Sequence, residues 1–237
     1  MLIAPGIHRV GSNPIVNAYL LEEGGAVTVI DAGMPGLYRA LPAELAAMSR
    51  SLADVRALLL THGHSDHVGF AERLRSGGVP VSVHEADAAL ARGEVPNDAR
   101  QAGPLRPAPI LNFLWFSLRQ GGLRRPAVGA VATFGDGATL DVPGSPRVIV
   151  APGHTAGSAC LHLGARSTLF VGDALCTYAV TSGRRGPQLS PFNADRGQAL
   201  NSLERLHGVD ARLVLPGHGE AWADGIDEAV RLVRERA

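Results

Sequence analysis

Cysteine is nearly missing from this chain: Cys160 and Cys176 are the only two in 237 residues. That count excludes a disulfide framework, and each lies in an apolar run that suits a small buried hydrophobe. Excess charge is missing as well, with 22 Lys plus Arg against 22 Asp plus Glu. No basic field exists to collect a phosphate backbone, so nucleic acid is not an expected partner. Nor does any stretch approach ~18 apolar residues without a charge, which argues against a membrane span and a membrane partner. The start, MLIAPGIHRVGSNP, is broken by Pro5, His8 and Arg9 where a signal peptide needs an unbroken apolar run. A cytoplasmic location is the expectation. Short repeats and low-complexity tracts are also lacking. At this length roughly 70% of the unfolded surface can be buried, so one domain over residues 1–237 is expected, with no need of staples.

What is present alternates between two periods. The apolar runs 14-PIVNAYLLEE-23 and 26-AVTVIDAG-33 flank Gly24-Gly25 and predict a hairpin. Apolar spacing near 3.6 predicts helices over 38–52, 68–76, 195–208 and 224–237. Continuous or alternating apolar runs predict strands over 55–61, 79–84, 139–144, 147–152, 159–164, 168–173 and 212–217. Strands and helices alternating in both halves imply helices packed outside sheets in a layered α/β fold. Residues 92–131 break the rhythm with five prolines and the patch 110-ILNFLWF-116. Two readings are open for this insert: an irregular connector holding one buried helix, or a lid whose Phe113, Trp115 and Phe116 line a pocket.

The densest chemistry is 62-HGHSDH-67, with His62, His64, Asp66 and His67 inside six residues. Side chains two apart do not share a helix face, so this is a loop pattern at the end of a strand. Other candidates recur in that same setting, with glycine beside them: His154 in APGHTAGS, Asp173 in FVGDA and His218 in LPGHGE. Asp31, in VIDAG, has the same signature. Glycine there permits close backbone approach, and strand ends opening onto loops are where α/β proteins place their sites. Imidazole nitrogen and carboxylate oxygen suit a borderline divalent ion such as Zn²⁺. A structural zinc needs about four ligands; seven candidates suit two ions sharing a bridging carboxylate, with a position left for water. His8, His84, His162 and His207 fall outside these motifs.

The order and context of the motifs resemble the metallo-β-lactamase superfamily, whose hallmark is His-x-His-x-Asp-His, then a distant His, an Asp and a final His. Nearly the whole chain is covered. The resemblance implies a four-layer αββα sandwich with the metals at one edge. It assigns His62, His64 and His154 to a first ion, Asp66, His67 and His218 to a second, and Asp173 to the bridge. Asp31 then orients a ligand without touching metal.

Two zinc ions per chain would activate water for attack on an acyl bond: lactone, ester, thioester or β-lactam. Asp66 is then placed to hold or relay the proton. An Asp at the bridging position and His67 together make the resemblance closer to glyoxalase II and acyl-homoserine-lactone lactonases than to the β-lactamases that carry Cys or Ser there. The helical, basic C-terminal region of glyoxalase II is not matched, since about 19 residues follow His218. Tyr178 either donates to a substrate carbonyl, as in such lactonases, or packs in the core. Arg184 and Arg185 either attract an anionic substrate or sit on a solvated loop. The expected partner is a small-molecule acyl substrate, with a homodimer left open. The alternative function is a mononuclear non-haem Fe²⁺ oxidoreductase resembling the superfamily's persulfide dioxygenases, in which His62, His154 and Asp173 form the iron set.

Overall fold

Strand order in the computed structural model, which describes residues 1–97, 100, 102–122 and 126–237, divides the chain into two halves. The first half builds a seven-stranded sheet whose spatial order follows the sequence. Its strands are β1 (Leu2–Ala4), β2 (Ile7–Arg9), β3 (Tyr19–Glu23), β4 (Ala26–Ile30), β5 (Val55–Leu59), β6 (Val81–His84) and β7 (Ala132–Phe134). β1 to β4 are antiparallel hairpins; β4 to β7 run parallel. The second half builds a sheet from β8 (Arg147–Val150), β9 (Ala159–Leu163) and β10 (Thr168–Gly172). A separate ribbon, β11 (Cys176–Tyr178) with β12 (Arg185–Gln188), follows, and β13 (Leu213–Pro216) then returns parallel to β10.

Among the described residues six α-helices complete the fold: α1 (Leu41–Ala47), α2 (Ala71–Ser76), α3 (Ala88–Ala91), α4 (Pro107–Arg119), α5 (Arg196–Ser202) and α6 (Ile226–Arg236). The apolar side chains sort into layers. One cluster joins the outer face of the first sheet (Leu20, Val29, Leu58) to α1 and α2 through Leu41, Leu45 and Leu74. A second joins the other sheet (Cys160, Leu169, Val214) to α5 and α6 through Ala199, Val230 and Val233. Between the sheets, Ile7, Tyr19 and Ile30 meet Val148, Leu161 and Phe170. Alternate residues of one strand thus face different layers, as the period of two requires. The architecture is the αββα sandwich.

Boundaries moved where local chemistry overrode the apolar period. The expected helix over 38–52 divides into a 3-10 turn, Pro35–Ala40, and α1. Pro42 starts α1, where a ring nitrogen costs no hydrogen bond. The expected strand over 139–144 reduces to a single bridge, Thr139 to Arg147, because Pro143 has no N–H to give a ladder. Strands β1, β2, β7, β11 and β12 were not expected from the sequence; β1, β2, β7 and β11 have three residues each and β12 has four, too short to show a period. Residues 98, 99, 101 and 123–125 of the 92–131 insert lie outside the described residues. Within the insert, α4 is not the buried helix of the connector reading: Leu111, Leu114, Trp115 and Leu118 are all more than half exposed.

Candidate metal centre

Every candidate ligand follows the C-terminal end of a strand: the 62–67 loop after β5, His154 after β8, Asp173 after β10 and His218 after β13. The parallel pairings of β4 with β5 and of β10 with β13 place these loop mouths on one edge of the sandwich. There the seven side chains converge in three overlapping groups, with candidate atoms within 4.8 Å of one another in each. The groups are His62, His64 and His154; His62, His67 and Asp173; and Asp66, His67 and His218. All are buried except Asp66, which is partly exposed. His154 Nε2 faces His64 Nδ1 at 2.9 Å. His218 Nε2 lies 3.1 Å from Asp173 Oδ2 and 3.5 Å from Asp66 Oδ2.

The outer nitrogens show how the rings are held. His67 Nδ1 donates to Asp31 Oδ2 at 2.9 Å, and His218 Nδ1 donates to Ile15 O at 2.5 Å. His62 Nδ1 donates to Thr61 Oγ1 at 3.0 Å, whose own hydrogen goes to Asp31 Oδ2 at 2.8 Å. In all three rings Nδ1 carries the proton, which leaves the Nε2 lone pair free. Asp31 itself is held with φ at 57°, a conformation that a non-glycine residue adopts at a cost and that clusters at functional sites. The backbone also comes close. A methyl group at Gly217 would collide with Asp173 Oδ1 and His67 Cε1, so only glycine fits at that position.

The electrostatics follow from burial and from the charges that face each group. Burial, reinforced by the neighbouring imidazoles, holds His62 well below the ordinary histidine value. Burial likewise carries His154 down to about 3 and lowers His64. For His67 burial acts downward, but the facing carboxylates of Asp31, Asp173 and Asp66 outweigh it and push the ring up to about 10. His218 is raised too, Asp173 overcoming the opposing burial. Burial would raise Asp173, yet His218 and His67 take it well below the usual carboxylate range. Meanwhile His62 Nε2, His67 Nε2 and Asp173 Oδ1 are buried with no hydrogen-bond partner. A buried polar atom without a partner costs about 1–3 kcal/mol, and divalent ions satisfy several of them together. The donor set fits metal binding.

One functional residue escaped the sequence reading. Asp87, fully buried just after β6, accepts from Gly63 N at 2.8 Å, Thr155 Oγ1 at 2.7 Å and Gly157 N at 2.7 Å. It ties the backbone between His62 and His64 to the turn that carries His154. The missed signal was slight: an Asp in 84-HEAD-87, whose partners are mostly backbone groups that no side-chain pattern displays.

The cavity facing the ligands has a volume of about 360 Å³, with apolar walls from Met34, Phe113, Leu114, Leu118, Val180 and Phe192. Of the three aromatics expected in a lid, Phe113 lines it. Phe116 is buried in the cluster of Ile15, Val16, Met34 and Val180, and Trp115 is 59% exposed. Tyr178 packs, partly buried, against that same cluster, with the Arg185 guanidinium 5.5 Å from its ring centroid. Its side chain is not among those lining this cavity, and its backbone N–H donates to His218 O at 3.3 Å. Arg184 lines a different cavity.

Comparison with known proteins agrees with this geometry. The Bacillus subtilis protein named probable metallo-hydrolase YflN is 25% identical over 234 residues, covering 91% of this chain and 84% of its own. The metallo-β-lactamase family protein TTHA1429 of Thermus thermophilus superposes with a TM-score of 0.70 at 27% identity, covering 98% of this chain and 80% of its own. TTHA1623, solved in a di-iron-bound form, superposes with a TM-score of 0.63 at 26% identity over 93% and 96% of the two chains. A family profile described as the metallo-beta-lactamase superfamily matches residues 12–218, the span that holds every one of the converging ligands, and the chain belongs to that superfamily.

Proposed function

We propose that this metal-dependent hydrolase binds two zinc ions and cleaves an acyl bond — lactone, ester, thioester or β-lactam — in a small molecule with an apolar portion. One observation carries the reading: the second group, Asp66, His67 and His218, is complete beside the first, which a single-ion site would not need. His62, His64 and His154 would hold one ion and Asp66, His67 and His218 the other, with Asp173 shared. Bound there, such ions lower the pKa of water and withdraw charge from a carbonyl.

The chain's own residues supply the rest. Asp66, partly exposed at the cavity and 3.5 Å from His218 Nε2, accepts the proton of the attacking water and passes it to the leaving group. Asp31 keeps His67 and, through Thr61, His62 in the tautomer that presents Nε2. Met34, Phe113, Leu114 and Leu118 take the apolar part of the substrate and exclude bulk water. Among the described residues no helix is long and apolar enough to cross a membrane, and a small diffusible substrate suits the open cavity.

The di-iron neighbour supports a second reading in which iron, not zinc, fills the site; in its mononuclear form an oxidoreductase would use His62, His154 and Asp173. Metal analysis of protein purified without added metal, followed by a panel of lactones, thioesters and β-lactams, tests both. About two zinc per chain with turnover of an acyl substrate supports the hydrolase. One iron per chain with oxygen uptake on a persulfide, and no acyl turnover, replaces it.

A further inference from the structure

Helix α4 has two apolar sides, and only one of them is packed. Phe113 and Phe116 rest on Ile15, Met34 and Val180. On the other side Leu111, Leu114, Trp115 and Leu118 follow one another at steps of three and four, so they form one stripe. Each of the four is more than half exposed, and Leu105, just ahead of the helix, is exposed too. Single exposed leucines are ordinary, but a contiguous stripe marks a surface that another body covers.

Charge decides which body. Residues 100–131 hold five arginines and neither aspartate nor glutamate, in a chain of zero net charge. Arg100, Arg106 and Arg119 are exposed, and the Arg119 guanidinium lies at the margin of the stripe, 5.7 Å from the Trp115 ring centroid. Beside the start of α4 is Gly183, where an added methyl would meet Pro109 at 2.8 Å; exposed Arg184 and Arg185 follow it. Among the described residues Arg106, Arg119, Arg184 and Arg185 form no ion pair. A second copy docked on this stripe would set like charge against like charge. An anionic lipid surface suits both features, since arginine meets the headgroups while leucine and tryptophan enter the acyl boundary. We propose that α4 lies flat in the interface of an anionic lipid bilayer, with Leu111, Leu114, Trp115 and Leu118 inserted. Among the described residues no helix is long and apolar enough to cross a bilayer, but lying in the interface requires no such length. The contact is independent of which metal is bound and which bond is cleaved. Leu114 and Leu118 also line the cavity facing the ligands, so the docked face runs on into that cavity's wall.

The metal-loaded full chain is co-sedimented with vesicles of phosphatidylcholine and with vesicles of equimolar phosphatidylcholine and phosphatidylglycerol. Binding should be stronger to the anionic vesicles and should weaken as salt is raised. The double variant Leu111→Gln/Trp115→Gln should bind them at least about tenfold more weakly. Both positions are exposed and neither lines the cavity, so its unfolding midpoint and metal content should match the wild type. Arg106→Gln/Arg119→Gln should lose about tenfold or more by charge alone. Insertion is read from quenching of tryptophan emission by lipid brominated on its acyl chains. Trp222 is the other tryptophan, so Trp115→Phe, which keeps the stripe apolar, should still bind but lose the quenching. Several results would overturn the proposal: equal binding to the two kinds of vesicle, binding to neither, or equal binding by wild type and Leu111→Gln/Trp115→Gln. Quenching retained in Trp115→Phe would do the same. So would a dimer in sedimentation velocity that Leu111→Gln/Trp115→Gln dissociates, since a second copy would then cover the stripe.

Discussion

Replacing Asp87 separates a residue that positions the metal loops from one that merely fills the core. Its Oδ2 takes two hydrogen bonds, from Gly63 N and Thr155 Oγ1, and its Oδ1 takes one from Gly157 N. Hydrogen bonds to a charged acceptor contribute about 1.5–3 kcal/mol each, and a buried donor left unpaired costs about 1–3 kcal/mol. In Asp87→Ala the Thr155 hydroxyl can turn to Ser158 Oγ, already 2.8 Å away. The two backbone N–H groups cannot turn. The loss is therefore about 2–6 kcal/mol, a large part of the ~5–15 kcal/mol that holds a typical domain. Asp87→Asn is the sharper test because it conserves volume. Wherever its NH₂ points, it meets one N–H head on, at about 1–3 kcal/mol. Since Gly63 sits between His62 and His64, and Thr155 follows His154, the damage falls on the first ligand group. A chelator competition should show that group's metal affinity down about 10–100-fold, with Asp66, His67 and His218 still binding. A melting temperature lowered with both affinities intact would reduce Asp87 to a packing residue and refute the reasoning.

Other outcomes follow from the same geometry. Asp173→Ala removes the carboxylate proposed to be shared by two ions, so metal content and acyl turnover are expected to fall together; full metal with retained turnover would refute the bridge. Phe113→Ala should raise KM for apolar substrates, because the ring lines the cavity. Trp115→Ala, at a 59% exposed position, should shift unfolding by no more than about 0.5 kcal/mol; a loss of several kcal/mol would mean the indole is packed. In the metal-free chain His67 titrates near 10 instead of 6.5. A raised value gives stability that is complete below 6.5 and drains away as pH climbs towards 10. Melting temperature against pH should therefore decline over that window for the stripped protein. It should stay flat for the loaded one, whose imidazoles are already neutral; matching declines would sink the pairing.

How much of this was legible beforehand depends on where each signal resides. The residues that converge at the sandwich edge were readable as candidate ligands because metal chemistry restricts residue type and because glycine and apolar strands frame each one in the sequence. Asp87 was not, since its work is done on N–H groups that every residue possesses. The layers followed from strand–helix alternation, whereas three-residue strands such as β1 and β7 are too short to display a period. The helix over 38–52 had the right spacing, but Pro42 restarted it. In the insert the patch 110-ILNFLWF-116 marked an apolar segment. Composition records that such a segment exists and not what covers it, and here solvent touches Leu111, Leu114 and Trp115. Tyr178 was ambiguous for a related reason: five residues beyond Asp173 along the chain gives no direction in space.

The loop bearing His218 is gripped by the opposite end of the polypeptide. Asn17 Nδ2 donates to the carbonyls of Pro216 and Gly219, Tyr19 Oη donates to Pro216 O, and buried Arg9 pairs with Glu220 at 2.7 Å. His62, His64 and His154 need none of these clasps. During synthesis His62, His64 and His154 therefore leave the ribosome some sixty residues before His218 does. If two cations bind as proposed, maturation is expected to be stepwise: the first group can capture one early, and the second group is completed only when tail meets head. A refolding time course of metal uptake should show two phases, and shortening the N-terminal arm should abolish the later one alone.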